Sequence, residues 1–182
     1  LAVQGAFIEH EKKLEKLGVS CVELRKAEDL AQHYDGLVLP GGESTVQGKL
    51  LRELGMFDTV KSWIENGMPV LATCAGMILL ADKLEADSKV HLQTIPMTVK
   101  RNAYGRQLGS FHTKATIKGI GEVPMTFIRA PYVSQVSNEV EILSVVEERI
   151  VAVRYQKQIA LAFHPELDND LRIHEMFLSL CK

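Results

Sequence analysis

The sequence predicts an α/β fold: a mostly parallel central sheet with helices on both faces, followed by a β-rich second half. Three observations predict it. Short apolar runs alternate with amphipathic, glycine-stopped segments through roughly the first half, the pattern of parallel strands joined by right-handed crossovers. Strand-like runs with short turns between them dominate the second half. The 182 residues are 46% hydrophobic and 24% charged, enough for a real core at average globular proportions.

Taken in order, "LAVQG" (1–5) is short and apolar and reads as a strand. In "AFIEHEKKLEKLG" (6–18), Phe7, His10 or Glu11, Leu14 and Leu17 fall at helical spacing, and Gly18 ends the run. "VSCVEL" (19–24) alternates like a strand, and "AEDLAQHY" (27–34) reads as a short helix. "GLVLP" (36–40) is a buried strand running into Gly41-Gly42. "TVQGKLLRELG" (45–55) and "FDTVKSWIENG" (57–67) are helices stopped by glycine, "PVLATC" (69–74) is a strand, and "AGMILLADKLE" (75–85) a helix. Then "TIPMTVKRN", "SFHTKATIKG", "MTFIRAP", "VEILSVVEE", "RIVAVRYQ" and "QIALAFHPE" are strand-like, and "NDLRIHEMFLSLC" (169–181) closes as a helix. Without a linker, low-complexity stretch or repeat, residues 1–182 are expected to form one domain with a β-rich insertion.

A net charge of -2, from 21 basic and 23 acidic residues, gives no electrostatic case for nucleic acid or an anionic membrane. No apolar run has the length of a bilayer span. Leu1 opens the chain inside a strand-like run, so further residues are expected before it. Cys21, Cys74 and Cys181 are odd in number and widely spaced, unlike a disulfide framework or a zinc site, which points to a reducing cytoplasm. Cys21 and Cys181 read as core fillers.

Cys74 stands where a strand turns sharply into a helix. That joint lies at the sheet's C-terminal edge, where open α/β sheets bind ligands. A nucleophile there projects from a strained turn, with the following backbone N–H groups turned towards it, and the helix N-terminus favours the thiolate. Small neighbours are needed, and Ala72, Ala75 and Gly76 supply them. The stretch by itself is equally compatible with a core cysteine.

A nucleophilic cysteine needs a base, and the base needs an orienting group. His10, His33, His91 and His174 lie in polar or helical stretches where a solvated histidine is expected, and His112 is ambiguous. His164 ends the apolar "QIALAF" and precedes Pro165-Glu166. In an extended His-Pro-Glu, residues two apart face the same side, so Glu166 can bond one imidazole nitrogen while the other faces the thiol. Pro165 stiffens that spacing.

"LVLPGGEST" (37–45) follows a strand and resembles a phosphate loop, but five residues separate Gly42 from Gly48, and Leu50 replaces the magnesium-binding Ser or Thr. Two readings remain: a plain turn with Thr45 capping a helix, or an oxyanion loop whose glycine lets a backbone N–H face a ligand.

The Gly-Gly loop, the Cys elbow and the late His-x-Glu, in that order, resemble the class I (triad) glutamine amidotransferases. "LAVQGAFIEH", "PGGEST", "TCAG", "RNAYGRQ" with "SF" close behind, "FIRAP" and "FHPEL" are similar, over nearly the whole chain, to the glutaminase subunits of pyridoxal 5′-phosphate synthases. The resemblance implies a single flavodoxin-like domain and hydrolysis of L-glutamine to glutamate and ammonia through a thioester. It implies no cofactor and no metal. The implied partner is a synthase subunit, in a hetero-oligomeric complex, that uses the ammonia to build pyridoxal phosphate from a pentose phosphate and a triose phosphate. Carried over, Cys74 is the nucleophile, His164 the general base and acid, and Glu166 the orienting carboxylate. Gly42, Glu43, Ser44, Arg101, Ile128 and Arg129 line the glutamine site, and backbone N–H groups of Gly42 and Ala75 form the oxyanion hole.

Two positions depart from the family pattern: Ala72 where the elbow usually begins with glycine, and His112 where the residue after "SF" is often acidic. The rival reading is a cysteine hydrolase or chaperone of the DJ-1/PfpI type, which shares the elbow but does not draw its acid from a C-terminal His-x-Glu. A partner subunit with a decayed site is opposed by the intact Cys74, His164 and Glu166. A glutaminase of the histidine or purine pathways is opposed by "RNAYGRQ" and "FIRAP".

Overall fold

A computed structural model describes residues 1–101 and 110–182. Of "RNAYGRQ", Arg101 is described and the rest lies outside these residues.

In chain order the elements are α1 (Phe7–Lys16), a 3-10 turn (Ala27–Ala31), β1 (Leu37–Leu39), α2 (Ser44–Glu53), α3 (Phe57–Glu65), β2 (Val70–Thr73), α4 (Ala75–Leu80), β3 (Ala81–Leu84) and β4 (Ile95–Lys100). There follow β5 (Ser110–Ile117), β6 (Gly121–Ile128), β7 (Tyr132–Val136), β8 (Glu141–Val146), β9 (Arg149–Tyr155), β10 (Gln158–Leu161), a 3-10 turn (Pro165–Leu167) and α5 (Arg172–Leu180).

Among the described residues, eight strands form one sheet in the order β1-β2-β10-β9-β7-β4-β3, with β8 added on β9. The fold is α/β as expected, but the parallel character is partial. It covers β1-β2-β10 and β3-β4, while β10-β9, β9-β7, β7-β4 and β8-β9 are antiparallel. Short turns dictate β8-β9 and β9-β10, because a parallel pair needs a crossover of a dozen or more residues, whereas β4-β7 and β7-β9 join strands distant in the sequence.

Three local expectations are corrected. Residues 1–5 and 19–24 are not regular strands. Leu1 N–H donates to Val38 O at 2.7 Å and Ala2 N–H to Leu24 O at 2.9 Å, which lays residues 1–2 beside both segments without a continuous ladder. The helix read over 75–85 stops at Leu80, and Ala81–Leu84 pairs in parallel with β4 instead. Residues 81–84 are Ala-Asp-Lys-Leu, with the buried Ala81 and Leu84 three apart as on a helix face, so tertiary pairing with β4 overrides the local pattern.

The core runs through both layers, with Leu39, Leu71, Leu79, Ile159 and Phe163 completely buried. β5 and β6 form a separate hairpin. Phe127 fastens it to the core: its ring stacks on Phe111 at 4.5 Å and tilts against Phe163 at 5.6 Å. Among the described residues no helix is long and apolar enough to cross a membrane.

Candidate active site

β1, β2 and β10 run parallel side by side, so their C-terminal ends gather the Gly41-Gly42 loop, Cys74 and His164 at one edge. Cys74 occupies the joint of β2 and α4 with φ 47 and ψ -99, a backbone conformation that is strained for a side chain with Cβ. Its N–H is anchored to Leu161 O of β10 at 2.7 Å. The elbow closes only because Gly76 has no side chain: a Cβ there would lie 2.1 Å from Leu39 O. Ala72 is fully buried between Leu39 and Ala160 in the ladder, so the family's glycine is replaced without opening the turn. The Cys74 thiol points towards Ile128 O at 3.9 Å.

His164 follows β10, its backbone N–H held by Thr126 O at 2.8 Å. Its Nδ1 bonds Glu166 Oε1 at 2.7 Å, which leaves Nε2 for the sulfur. Burial by itself pulls the His164 pKa down, but hydrogen bonds and charge from Cys74 and Glu166 outweigh it and raise the value to about 10. The imidazole is thus protonated at neutral pH. The His-Pro-Glu segment is a 3-10 turn, not an extended strand. The turn brings the two side chains together, so the expected pair forms by a different route.

The Gly-Gly loop closes over this pair. A Cβ on Gly41 would lie 2.4 Å from His164 Cε1 and 3.5 Å from Cys74 Cβ, so residue 41 sits directly against both groups. Gly41 N–H donates to Thr73 Oγ1 at 3.0 Å, and Gly41 O accepts from Ala6 N–H at 3.0 Å. Since the peptide is trans, the Gly42 N–H points away from Ala6. Gly42 is pressed against Gln4 and Gly5, where a Cβ would come within 2.4 Å of Gln4 Oε1.

The cap of α2 is Glu43, not Thr45. Its carboxylate accepts from Thr45 N–H at 3.1 Å and Val46 N–H at 2.9 Å. Arg101 joins it at 3.1 Å and reaches Asp87 with its other nitrogen at 3.0 Å. Desolvation opposes these contacts, yet the α2 N–H groups and Arg101 hold the Glu43 carboxyl below its ordinary range. Ser44 is buried beside it. Arg101 therefore grips the loop with its side chain. Ile128 presents a backbone carbonyl to Cys74, and Arg129, at φ 45, turns the chain directly after it with its side chain exposed.

The expectation of four solvated histidines holds only for His33, whose side chain is 91% exposed. His91 is buried, its ring lying where a Cβ of Gly48 would come within 2.0 Å. His10 and His174 are buried behind the triad. His10 Nε2 lies 3.3 Å from Glu166 Oε2 and 3.1 Å from Thr73 Oγ1, and His10 Nδ1 is 3.0 Å from His174 Nε2. Burial first, then the neighbouring cations, holds the His10 pKa well below its ordinary value; burial takes His174 to about 4. The helical spacing of His10 with the apolar face of α1 was the signal for its burial. His112 stands apart from Cys74: it bonds Thr126 Oγ1 at 3.0 Å and faces Asp168 at 3.6 Å, tying the hairpin to the segment after His164. Cys21 and Cys181 are half-buried against the core, as expected of fillers.

A family model described as the SNO glutamine amidotransferase family matches residues 1–182. A protein of Desulfitobacterium hafniense (strain DSM 10664 / DCB-2) named pyridoxal 5′-phosphate synthase subunit PdxT is 62% identical over 98% of this chain and 89% of its own length. A protein of the same name from Haemophilus influenzae (strain PittEE) is 52% identical over 100% of this chain and 96% of its own. A solved structure described as a glutamine amidotransferase superposes with a TM-score of 0.94 at 41% identity, covering 100% of this chain and 96% of that one.

Proposed function

This chain belongs to the SNO glutamine amidotransferase family, and on that premise we propose that Cys74, His164 and Glu166 are the catalytic triad of its glutaminase reaction. The chain hydrolyses L-glutamine and supplies the ammonia to a synthase subunit making pyridoxal 5′-phosphate, the vitamin B6 cofactor; the relatives named as subunits of that synthase support this. The single observation that carries the triad is His164 bonded to Glu166 and facing Cys74 on a strained elbow.

Cys74 Sγ attacks the side-chain amide carbon of glutamine. The carbonyl oxygen becomes an oxyanion, received by the N–H groups of Gly42 and Ala75. Gly42 N–H is turned away from Ala6, and Ala75 N–H is one of the free donors at the start of α4. Each such donor contributes about 3 kcal/mol at the transition state. The protonated His164 gives its proton to the amide nitrogen, the C–N bond breaks, and ammonia leaves a glutamyl thioester on Cys74. His164, now neutral, takes a proton from water as that water attacks the thioester. The C–S bond then breaks, the product acid gives up its own carboxyl proton to solvent and departs as glutamate, and the Cys74 thiolate beside a protonated His164 is restored. Glu166 keeps Nδ1 occupied, so Nε2 performs every transfer.

Gly42, Glu43, Ser44, Arg101, Ile128 and Arg129 form the glutamine site in this reading, with Arg101 acting by fixing Glu43 and the loop. Residues 1–182 form one glutaminase domain, which works in the cytoplasm. The deciding experiment measures ammonia release from glutamine by the chain with its matched synthase subunit, beside a Cys74→Ala variant. No release by the wild-type complex would overturn the activity, and release by the variant would overturn the nucleophile.

A further inference from the structure

We propose that His10 is a positioning residue for the triad: from α1 it holds the second oxygen of Glu166 and, through Thr73, couples that carboxylate to the Gly41 loop. The proposal rests on the triad reading above. Glu166 is completely buried, and His164 occupies only Oε1. Among the described residues Oε2 makes no hydrogen bond, and the nitrogen that faces it is His10 Nε2 at 3.3 Å. A buried carboxylate oxygen without a donor is strongly destabilised, so the donor facing it decides where the carboxylate rests.

The proton arrangement follows from the contacts. An ionised Glu166 only accepts, so His10 Nε2 carries the hydrogen and directs it between Glu166 Oε2 and Thr73 Oγ1. His10 Nδ1 is then an acceptor, and His174 Nε2–H supplies the donor at 3.0 Å. His174 Nδ1 is left as a lone pair, in agreement with its having no partner among the described residues. This chain requires His10 to be neutral. The ionisable groups facing it are His174 from α5, His164 and Glu166 from the segment after β10, and the Leu1 amine. Burial is the largest influence keeping it neutral, and positive charge on His174, the Leu1 amine or His164 would act in the same direction.

Thr73 extends the device to the oxyanion side. The same Oγ1 that His10 approaches accepts the Gly41 N–H at 3.0 Å, and Gly41 touches the His164 ring. One buried side chain on α1 thus fixes the tautomer of His164 through Glu166 and the height of the loop above it. Such a residue acts on turnover and not on glutamine affinity, because it touches no part of the substrate site.

The test uses the complex with the synthase subunit and four variants: His10→Leu, His10→Gln, Glu166→Gln and the His10→Leu/Glu166→Gln double. His10→Leu should lower kcat about tenfold with KM within about twofold, and should shift the limb of the kcat–pH profile that reports His164. His10→Gln should recover most of the loss, since its carboxamide N–H reaches the place of Nε2. In the Glu166→Gln background His10→Leu should cost little more. Wild-type kcat and pH profile in a folded His10→Leu, or equal losses in both backgrounds, would overturn the proposal. Should His10→Leu not fold, His10→Gln is compared with His10→Asn, whose N–H sits near Nδ1: higher kcat for Gln supports the role and equal kcat overturns it. Cys74→Ala, assayed alongside, reports on the triad independently.

Discussion

Replacing Gly41 with alanine adds one methyl group at the point where the loop, His164 and Cys74 meet. The new Cβ would stand 2.4 Å from His164 Cε1 and 2.9 Å from Nδ1. The loop cannot easily retreat, because Gly41 is pinned on both sides, by Thr73 Oγ1 and by Ala6 N–H. The ring must therefore give way by about 1 Å, a displacement that typically costs catalysis roughly a hundredfold. It would also stretch the 2.7 Å bond to Glu166. Gly41 is not among the residues with positive φ, so the substitution tests crowding without backbone strain. The assay is ammonia release at saturating glutamine by the complex, with thermal melting as the check on folding. A kcat down about a hundredfold in a folded variant is the expected result. Near-normal turnover would refute the placement of the loop against the triad.

Cys74→Ala should abolish glutamine hydrolysis, by roughly four to six orders of magnitude, in a variant that still folds, since alanine keeps the Cβ and asks nothing new of the elbow. His164→Asn should be as damaging and Glu166→Gln less so; a His164→Asn variant with full turnover would reject His164 as the base. In the pH dependence of stability, the folded state binds the His164 proton up to a pKa of about 10, against 6.5 when unfolded. That contribution is complete below pH 6.5 and is lost as pH rises through about 10, so melting temperature should fall over this range, and less steeply in Cys74→Ala. His174 acts oppositely: with its pKa lowered to about 4, its contribution is present above pH 6.5 and lost as pH falls towards 4, and His174→Asn should flatten that loss. Finally, turnover of the isolated chain should rise when the matched synthase subunit is added. Residues 4–6 bond both Gly41 and Glu43, so a partner ordering that segment steadies the oxyanion peptide. Equal turnover in both states would reject such gating.

The sequence by itself determined what depends on near neighbours. The elbow is legible because a strand of β2, a cysteine and a helix start are consecutive, and Gly76 supplies the one close approach that the turn needs. His164 and Glu166 are two residues apart, so their pairing survived the replacement of an expected extended segment by a 3-10 turn. Tertiary structure alone decided the rest. His10 and His174 are 164 positions apart, and a hydrogen bond across that distance leaves no mark on the local pattern of either helix. Arg101 reaches Glu43 from 58 positions away, a side-chain contact with the loop that no local pattern announces. The stop of α4 at Leu80 and the antiparallel pairing of β7 with β4 and β9 were likewise hidden. Ala81 and Leu84 are spaced as on a helix face, but the choice between helix and strand belongs to whichever neighbour saturates the backbone hydrogen bonds, here β4.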